Sequence, residues 1–430
     1  SFLYTHHLYI YSMIWEYICL GILLLLIVFW VYTKLAYPFW SHQPVVHHYD
    51  WVRRWFYYRP YVIQMKKPIP TKFNKKAYII SKSFSEINDT EMDVVVDFIQ
   101  CHDHYSENRY NLISKKLLEG YVAGIDHAEI SLLYDEQYKL ELNPDVKSSY
   151  ITQWILDHMP LGVICSYSLQ FYMPQFQNNI PFTHIHYWSF LCVHREKAKK
   201  HSHYELLQTH DYRLRLEKEG MVSLYKTEGE LCDGVVPFVR YDSHLFPLNT
   251  IRAPQLPKHV ICRKITEQNF HYISDMLYHM THGQANFPIA ALCFPSLGNI
   301  MSRLKKEVNY CYVLTFRDEL LGLFVFQDTF VHVENKGNVL ECVLCYLNNY
   351  GKVQEEQFFA AFLGALYDIQ KNVSKKYDLL KINELGHNIL VLDKWKWKYD
   401  ALIVEQSGLY IFNGGCGKMP LKNEECFFFL

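Results

Sequence analysis

At 430 residues, with 50% hydrophobic and 16% aromatic residues, the chain is long enough for two or more domains and can bury a large core. Its net charge of −1 excludes the strongly basic footprint of a general nucleic-acid binder, so no nucleic-acid partner is expected. Twelve cysteines spread over this length are too sparse for a disulfide scaffold, and reduced thiols suit a cytosolic or virion-interior compartment.

The first element is apolar. Ile18 to Tyr32 carries no charge, and extension back to Ser12 gives about 20 residues, enough to span the hydrocarbon core of a bilayer. Trp15, Tyr17, Trp30 and Tyr32 would form its aromatic belts, with Glu16 near one interface. No basic stretch precedes it and no small-residue cleavage site follows, so a membrane span is expected rather than a signal peptide. Lys34, Arg53, Arg54, Arg59, Lys66 and Lys67 all follow it, which places the bulk of the chain on the cytosolic side. Membrane contact is thus expected through residues 12–33, with 1–35 as tail and anchor.

Residues 36–75 contain five prolines and read as an extended arm, basic and aromatic from Trp51 to Tyr58, as suits anionic headgroups. A mixed α/β region follows. Met92, Val95, Val96 and Ile99 predict a helix over 90–100; Leu161–Tyr172 and His184–His194 predict strands, and Lys197–Leu216 a helix. Pro247, Pro254 and Pro257 mark a linker near 245–258. The pattern then repeats: a helix over Glu267–Met280, a hairpin turning at Arg317-Asp318-Glu319, a strand at Val339–Tyr346 and a helix over Glu355–Val373. A strand at Leu379–Glu384 and a last hairpin near Tyr399–Phe412 complete it. The domains read as 36–250 and 251–430.

Several motifs carry chemistry. If the ladder is broken at Phe190-Leu191, two backbone N–H groups enter a crevice there. Each such donor to a tetrahedral acyl oxyanion is worth roughly 3 kcal/mol. An interior strand is the alternative. His194, Arg195, Lys197, Lys199, Lys200 and His201 then lead into a helix, a setting that suits a pyrophosphate or 3′-phosphate, although charge runs are usually solvated faces. Phe39-Trp40-Ser41-His42-Gln43-Pro44-Val45 offers two aromatics to cover an adenine or pantetheine, with membrane-interface residues as the competing reading. Cys342-Val343-Leu344-Cys345 reads as buried thiols in a strand, and His184-x-His186 lacks a third ligand, so no metal is expected. Gly414-Gly415-Cys416-Gly417-Lys418 lacks phosphate-loop spacing.

In order and spacing, Phe39–Val45, Phe190-Leu191-Cys192-Val193-His194 and the ending Phe427-Phe428-Phe429-Leu430 resemble the N-myristoyltransferases. The resemblance covers most of residues 37–430, with identity confined to short islands. It implies two acetyltransferase-like α/β halves around one saddle-shaped mixed sheet flanked by helices, the first binding the acyl donor and the second the acceptor peptide. It implies transfer of a tetradecanoyl group from myristoyl-coenzyme A to an N-terminal glycine, with no tightly bound cofactor. The amides at Phe190 and Leu191 would form the oxyanion hole. The α-carboxylate of Leu430 would be the base, its basicity raised by burial among the phenylalanines. Phe39, Trp40, Gln43, Cys192, Val193, His194, Arg195, Lys199, Lys200 and His201 would hold coenzyme A, although Ser202-His203-Tyr204 replace the family's Val-Ala-Pro.

The peptide region is more eroded. Of an acidic run only Asp103 and Glu107 remain before Arg109-Tyr110-Asn111. Tyr225 and Thr227 match a Tyr-Thr-Ala-Gly motif with an insertion, Thr227 supplying the hydroxyl for the substrate amine. Tyr241 matches Arg-Tyr-Trp-His, in which Asp242-Ser243 replace Trp-His and His244 is a spatial substitute. Ser189 stands where the family has Asn. These erosions keep a rival open: a non-catalytic, membrane-tethered structural or interaction protein on the same scaffold, for example a minor capsid or inner-membrane protein of a large DNA virus. An aminoacyl or acetyl transferase of the same fold is a third class.

Overall fold

The computed structural model describes residues 2–75, 77–103, 109–125, 127–138, 153–155, 158–283, 285, 287–348 and 353–430. It opens with helix α1 (Phe2–Ala36). Within it Trp15–Ala36, 22 residues long, is apolar and almost wholly exposed, long enough at ~33 Å to cross a bilayer. The foot of α1 is tied to the rest of the chain. Thr33 is buried, Lys34 Nζ donates to the Ser41 carbonyl at 2.8 Å, and the Phe29 ring meets Tyr49 edge-on at 6.1 Å. Gly234 (φ 78°) admits the Tyr37 ring so closely that a Cβ there would lie 2.7 Å from it.

The arm includes a short helix, α2 (Trp51–Phe56), and β1 (Tyr61–Val62), which pairs with the late strand β16 (Gly414–Gly415). Then come β2 (Ile79–Ser83), α3 (Asp89–His102), β3 (Arg109–Asn111), α4 (Lys115–Val122), β4 (Glu129–Leu133), β5 (Gly162–Tyr172), β6 (His184–Val193), α5 (Ser202–Glu217), β7 (Ser223–Glu228) and β8 (Val239–Pro247). After an extended proline-marked segment follow β9 (Val260–Lys264), α6 (His271–Thr281), β10 (Ala291–Phe294), α7 (Leu297–Lys305), β11 (Asn309–Phe316), β12 (Glu319–Val333), β13 (Gly337–Leu347), α8 (Glu355–Asn372), β14 (Leu379–Asn383), α9 (Asn388–Lys396), β15 (Ile403–Phe412) and β17 (Cys426–Phe428).

Fifteen of these strands form one sheet, ordered β17-β10-β5-β6-β7-β15-β8-β14-β13-β12-β11-β9, with β4 on β5, β2 on β4 and β3 on β12. The parallel pairs are β10 with β17, β6 with β7 and β13 with β14. Strands from before and after residue 250 interleave, since β15 sits between β7 and β8. The expected hairpin near Tyr399–Phe412 is therefore a single strand, satisfied on both edges by earlier strands.

Alternation along the strands separates the two faces of the sheet. Val163, Cys165, Tyr167 and Leu169 of β5 pack with Met92, Val95, Val96 and Ile99 of α3, the stripe read from the sequence. Ile164 and Trp188 pack on the other face with Leu206, Leu207 and Leu214 of α5. Asn88 starts α3 with a capping box to Glu91. The β11–β12 hairpin turns at Arg317 and Asp318, both left-handed, as the sequence places it. An irregularity in β13 brings Cys342 and Cys345 onto the same buried face, with sulfurs 3.5 Å apart.

Candidate functional site

The ladder between β5 and β6 is broken at the expected place. Val163 faces Cys192 and Cys165 faces Ser189, so Phe190 and Leu191 together oppose the one residue Ile164. Phe190 is left-handed, with φ 51°. Such a bulge takes an extra residue out of regular pairing and re-aims its peptide groups. The neighbouring strand leaves room for them. β6 and β7 pair only at His186–Trp188 with Ser223–Tyr225 and splay beyond.

A cavity of about 690 Å³ occupies the splay. Trp188, Ser189, Phe190 and Leu191 form one wall, and Tyr225, Lys226, Thr227 and Glu228 the other. Alternate residues of each strand belong to opposite faces, so the cavity passes through the sheet. Trp188 and Tyr225 belong to the α5 side, while Tyr187 and Lys226 face the α3 side.

The α5 side is aromatic. Phe39 stacks on Tyr204 with centroids 4.1 Å apart, and Trp40 on Tyr225 at 5.8 Å and 7°. Tyr225 in turn stacks on Trp188 and Tyr410. Ala36, Tyr37 and Pro38, at the foot of α1, complete this mouth. Phe39 and Trp40 therefore reach the cavity as the motif implies. Gln43 does not; it is buried, and its backbone N–H closes the turn onto the Trp40 carbonyl. Cys192 and Val193 also stay off the cavity wall, Cys192 packing into the core.

The basic cluster lies outside. Arg195, Lys199, Lys200 and His201 are exposed, and Lys199 pairs with Glu136. His194 Nδ1 accepts from the backbone N–H groups of Glu196 (3.3 Å) and Lys197 (3.2 Å). Its ring packs on His102 at 4.4 Å. This turn delays α5 to Ser202, where the sequence reading started the helix at Lys197. The cations thus stand beside the first turn of α5, whose N-cap His201 makes no side-chain cap bond.

The opposite side is charged. Glu228 pairs with both Lys226 and Lys381, and Lys226 lies 3.6 Å from Glu341. Burial disfavours charge on Lys226, but Glu228 and Glu341 outweigh it and hold its pKa well above the usual lysine value. The same balance, led by burial but won by the two lysines, holds Glu228 below the usual carboxylate range. Arg109 forms a 2.6 Å pair with Glu405, and Asp103 accepts from Asn111 Nδ2 at 2.8 Å. Asp103, Arg109, Thr227 and Glu405 all line the cavity.

One sequence expectation needs correction here. Tyr241 does not line the cavity; it is buried in the core, with its hydroxyl bonded to Lys226. His244 lines the cavity beside Ser243 and Leu245, and its ring stacks on Phe246 at 6.0 Å. Glu107 lies outside the described residues. Lys381, Glu341 and Glu405 were not anticipated from the sequence. Lys226 and Glu228 left a signal, a charged pair at strand spacing next to buried residues.

Leu430 follows β17, which adds to β10 in parallel. Its backbone oxygen accepts from Arg303 Nη1 at 3.0 Å. Arg303 is fully buried, its guanidinium 4.0 Å from the Tyr121 ring centre, and Tyr121 meets Phe190 edge-on at 5.9 Å. Leu430 is linked to the bulge through these two side chains but is not among the described residues lining the cavity.

No family model and no curated protein matches this sequence. Solved structures do. A Saccharomyces cerevisiae N-myristoyltransferase with bound myristoyl-CoA superposes with TM-score 0.64 at 12% identity, covering 90% of this chain and 94% of that one. A second structure of that yeast enzyme with myristoyl-CoA gives 0.65 at 12%, covering 90% of each. A tandem GNAT protein from the clavulanic acid biosynthesis pathway gives 0.50 at 8%, covering 77% of this chain and 98% of that one. The chain therefore has the mixed-sheet, helix-flanked fold of the N-myristoyltransferases, behind an N-terminal apolar helix. At these identities the likeness establishes the fold alone.

Proposed function

We propose that this protein is a membrane-anchored acyltransferase that moves a tetradecanoyl group from myristoyl-CoA to the amine of an N-terminal glycine. The observation that carries this reading is the bulge at Phe190-Leu191, set in a cavity that pierces the sheet from an aromatic mouth to a charged one. The acyl donor enters on the α5 side, held mainly by residues 36–250. Phe39 and Trp40 cover it, and Arg195, Lys199, Lys200 and His201 face its phosphates. The acceptor amine enters from the charged side, between Thr227, Asp103 and residues of 251–430.

The neutral amine attacks the thioester carbonyl. A C–N bond forms, and the carbonyl electrons move onto an oxyanion held by the Phe190 and Leu191 amides. Collapse breaks the C–S bond, the second proton on the new amide nitrogen passes to the leaving sulfur, and coenzyme A departs as the thiol. An amine is mostly protonated at neutral pH, and the Leu430 carboxylate takes the proton, through water given its place behind Tyr121. The α1 helix holds the enzyme at a membrane, with the domain on the cytosolic side.

The test is a pair of measurements on the full chain in nanodiscs: calorimetric binding of myristoyl-CoA and acyl transfer to a panel of glycine peptides. Binding and transfer are both expected. One Gly added after Leu430 moves the carboxylate by up to ~3.5 Å. It should slow transfer strongly and leave donor binding unchanged, because general-base catalysis needs hydrogen-bond reach or one bridging water. Transfer indifferent to the added Gly removes Leu430 from the mechanism. The rival non-catalytic reading draws on the Arg303 contact that holds Leu430 off the cavity. Donor binding without transfer to any peptide would establish it.

A further inference from the structure

The arm after α1 presents a surface that the transfer reaction does not use. Trp55 and Ile69 are each 84% exposed, and Phe56, Tyr57, Tyr58 and Met65 are more than half exposed. Large apolar side chains grouped on a surface in this way mark an interaction site. They are not loose. Arg54 Nη2 donates to the Met419 carbonyl at 2.9 Å, the Tyr58 ring lies against Phe176 at 5.8 Å, and Lys418 Nζ sits 4.9 Å from the Tyr58 ring centre.

Three observations say what covers this surface. The first is height. Tyr49 packs on Phe29, and α2 begins two residues later. Phe29 precedes Ala36 by seven residues, which is ~10 Å along a helix. If Trp15–Ala36 spans a bilayer, α2 starts level with the last two turns of the span, just beneath the headgroups. The second is charge. Residues 51–85 contain nine Lys and Arg and no Asp or Glu, in a chain of net charge −1. The third is arrangement. Trp and Tyr beside exposed Arg59, Lys66 and Lys67 is the mixture that the interface of an anionic membrane favours.

We infer that residues 54–70 form a second membrane contact, an aromatic and basic platform seated on an anionic bilayer beside α1. It rests on the reading of α1 as a span. The platform would stop the domain from swinging on its anchor and hold the aromatic mouth of the cavity, which α1 itself borders, against the lipid surface.

The test places a photo-crosslinking amino acid at Trp55, Ile69, Leu24 or Trp397 of the full chain in nanodiscs containing anionic lipid. Trp397 is 89% exposed at the end of α9 and serves as the background site. Lipid adducts are expected at Trp55, Ile69 and Leu24, and none above background at Trp397. The pair Lys66→Glu and Lys67→Glu should lower the Ile69 adduct and leave Leu24 unchanged, as should discs of neutral lipid. Adducts at Leu24 but not at Trp55 or Ile69 overturn the inference and leave the anchor standing. Adducts from Trp55 and Ile69 to a second copy of the chain also overturn it, making the platform a protein interface. No lipid adduct at Leu24 overturns both the anchor and the platform. Donor binding by calorimetry, measured on the same variants, reports separately on the transferase reading.

Discussion

Glu129 shows how one buried side chain sets a pH dependence. It sits in β4, 4% exposed, and burial together with a hydrogen bond that its protonated form donates to the Glu217 carboxylate raises its pKa to about 8. A group whose pKa is raised on folding ionises first in the unfolded chain. Stability therefore falls as pH rises from about 4.5 to about 8. Glu129→Gln mimics the protonated form, so it should stabilise the fold at pH 8 by up to a few kcal/mol and change little at pH 4. Thermal melts of both proteins across this range check it; a substitution that destabilises equally at every pH would refute the account. Nothing in the sequence around Glu-Ile-Ser-Leu-Leu marks Glu129 as buried, because its neighbour Glu217 is brought to it by α5. Phe190 is the counterpart. Its identity and place are legible, but its left-handed backbone is imposed by the strands on either side.

At the scale of elements, the bulge is one extra residue between two correctly registered stretches of β6. Deleting Phe190 should restore a regular ladder, with Leu191 opposite Ile164 and Cys192 still opposite Val163. The variant is expected to fold, as read by circular dichroism, and to lose myristoyl-CoA binding because the re-aimed amides are gone. Donor binding at the original affinity would mean that the bulge is not the site. A second element-scale prediction concerns the foot of α1. Gly234→Ala puts a methyl against the Tyr37 ring at a position of positive φ. It should cost about 1–3 kcal/mol and make the arm after Tyr37 more sensitive to proteolysis, measured by timed digestion. Helices and strands were legible wherever hydrophobic periodicity was strong, as in α3, α8 and β5. They were misread where tertiary contacts override it. The His194 ring holds 195–200 in turns, and β15 finds partners on both edges instead of folding back on itself.

Across the whole molecule, the cluster of Lys226, Glu228, Glu341 and Lys381 joins β7, β13 and β14, strands drawn from both parts of the chain. Lys226→Met leaves two carboxylates with one fewer cation and should destabilise the protein by about 3 kcal/mol, measured by urea unfolding. Because Glu228 is held below the usual carboxylate range, its contribution is present above the unfolded value near 4.5 and lost as pH falls through its folded value. The deficit of the Met variant should therefore shrink in strong acid. The amino-acid order by itself determined what local pattern can carry. It identified an apolar helix long enough to span a membrane, the main alternation of helices and strands, and the short motifs that single out Phe39, Trp40, Phe190 and Leu191. Tertiary structure alone decided which motif residues meet. It kept Phe39, Trp40, Thr227 and His244 at the cavity, withdrew Tyr241 from it, and put Arg303 between Leu430 and the bulge. It also supplied Glu341, Lys381 and Glu405 from distant segments. The physical reason is that a cavity through a sheet is made by a failure of pairing between two strands. What lines it depends on register, face and burial, quantities fixed between segments far apart in the chain.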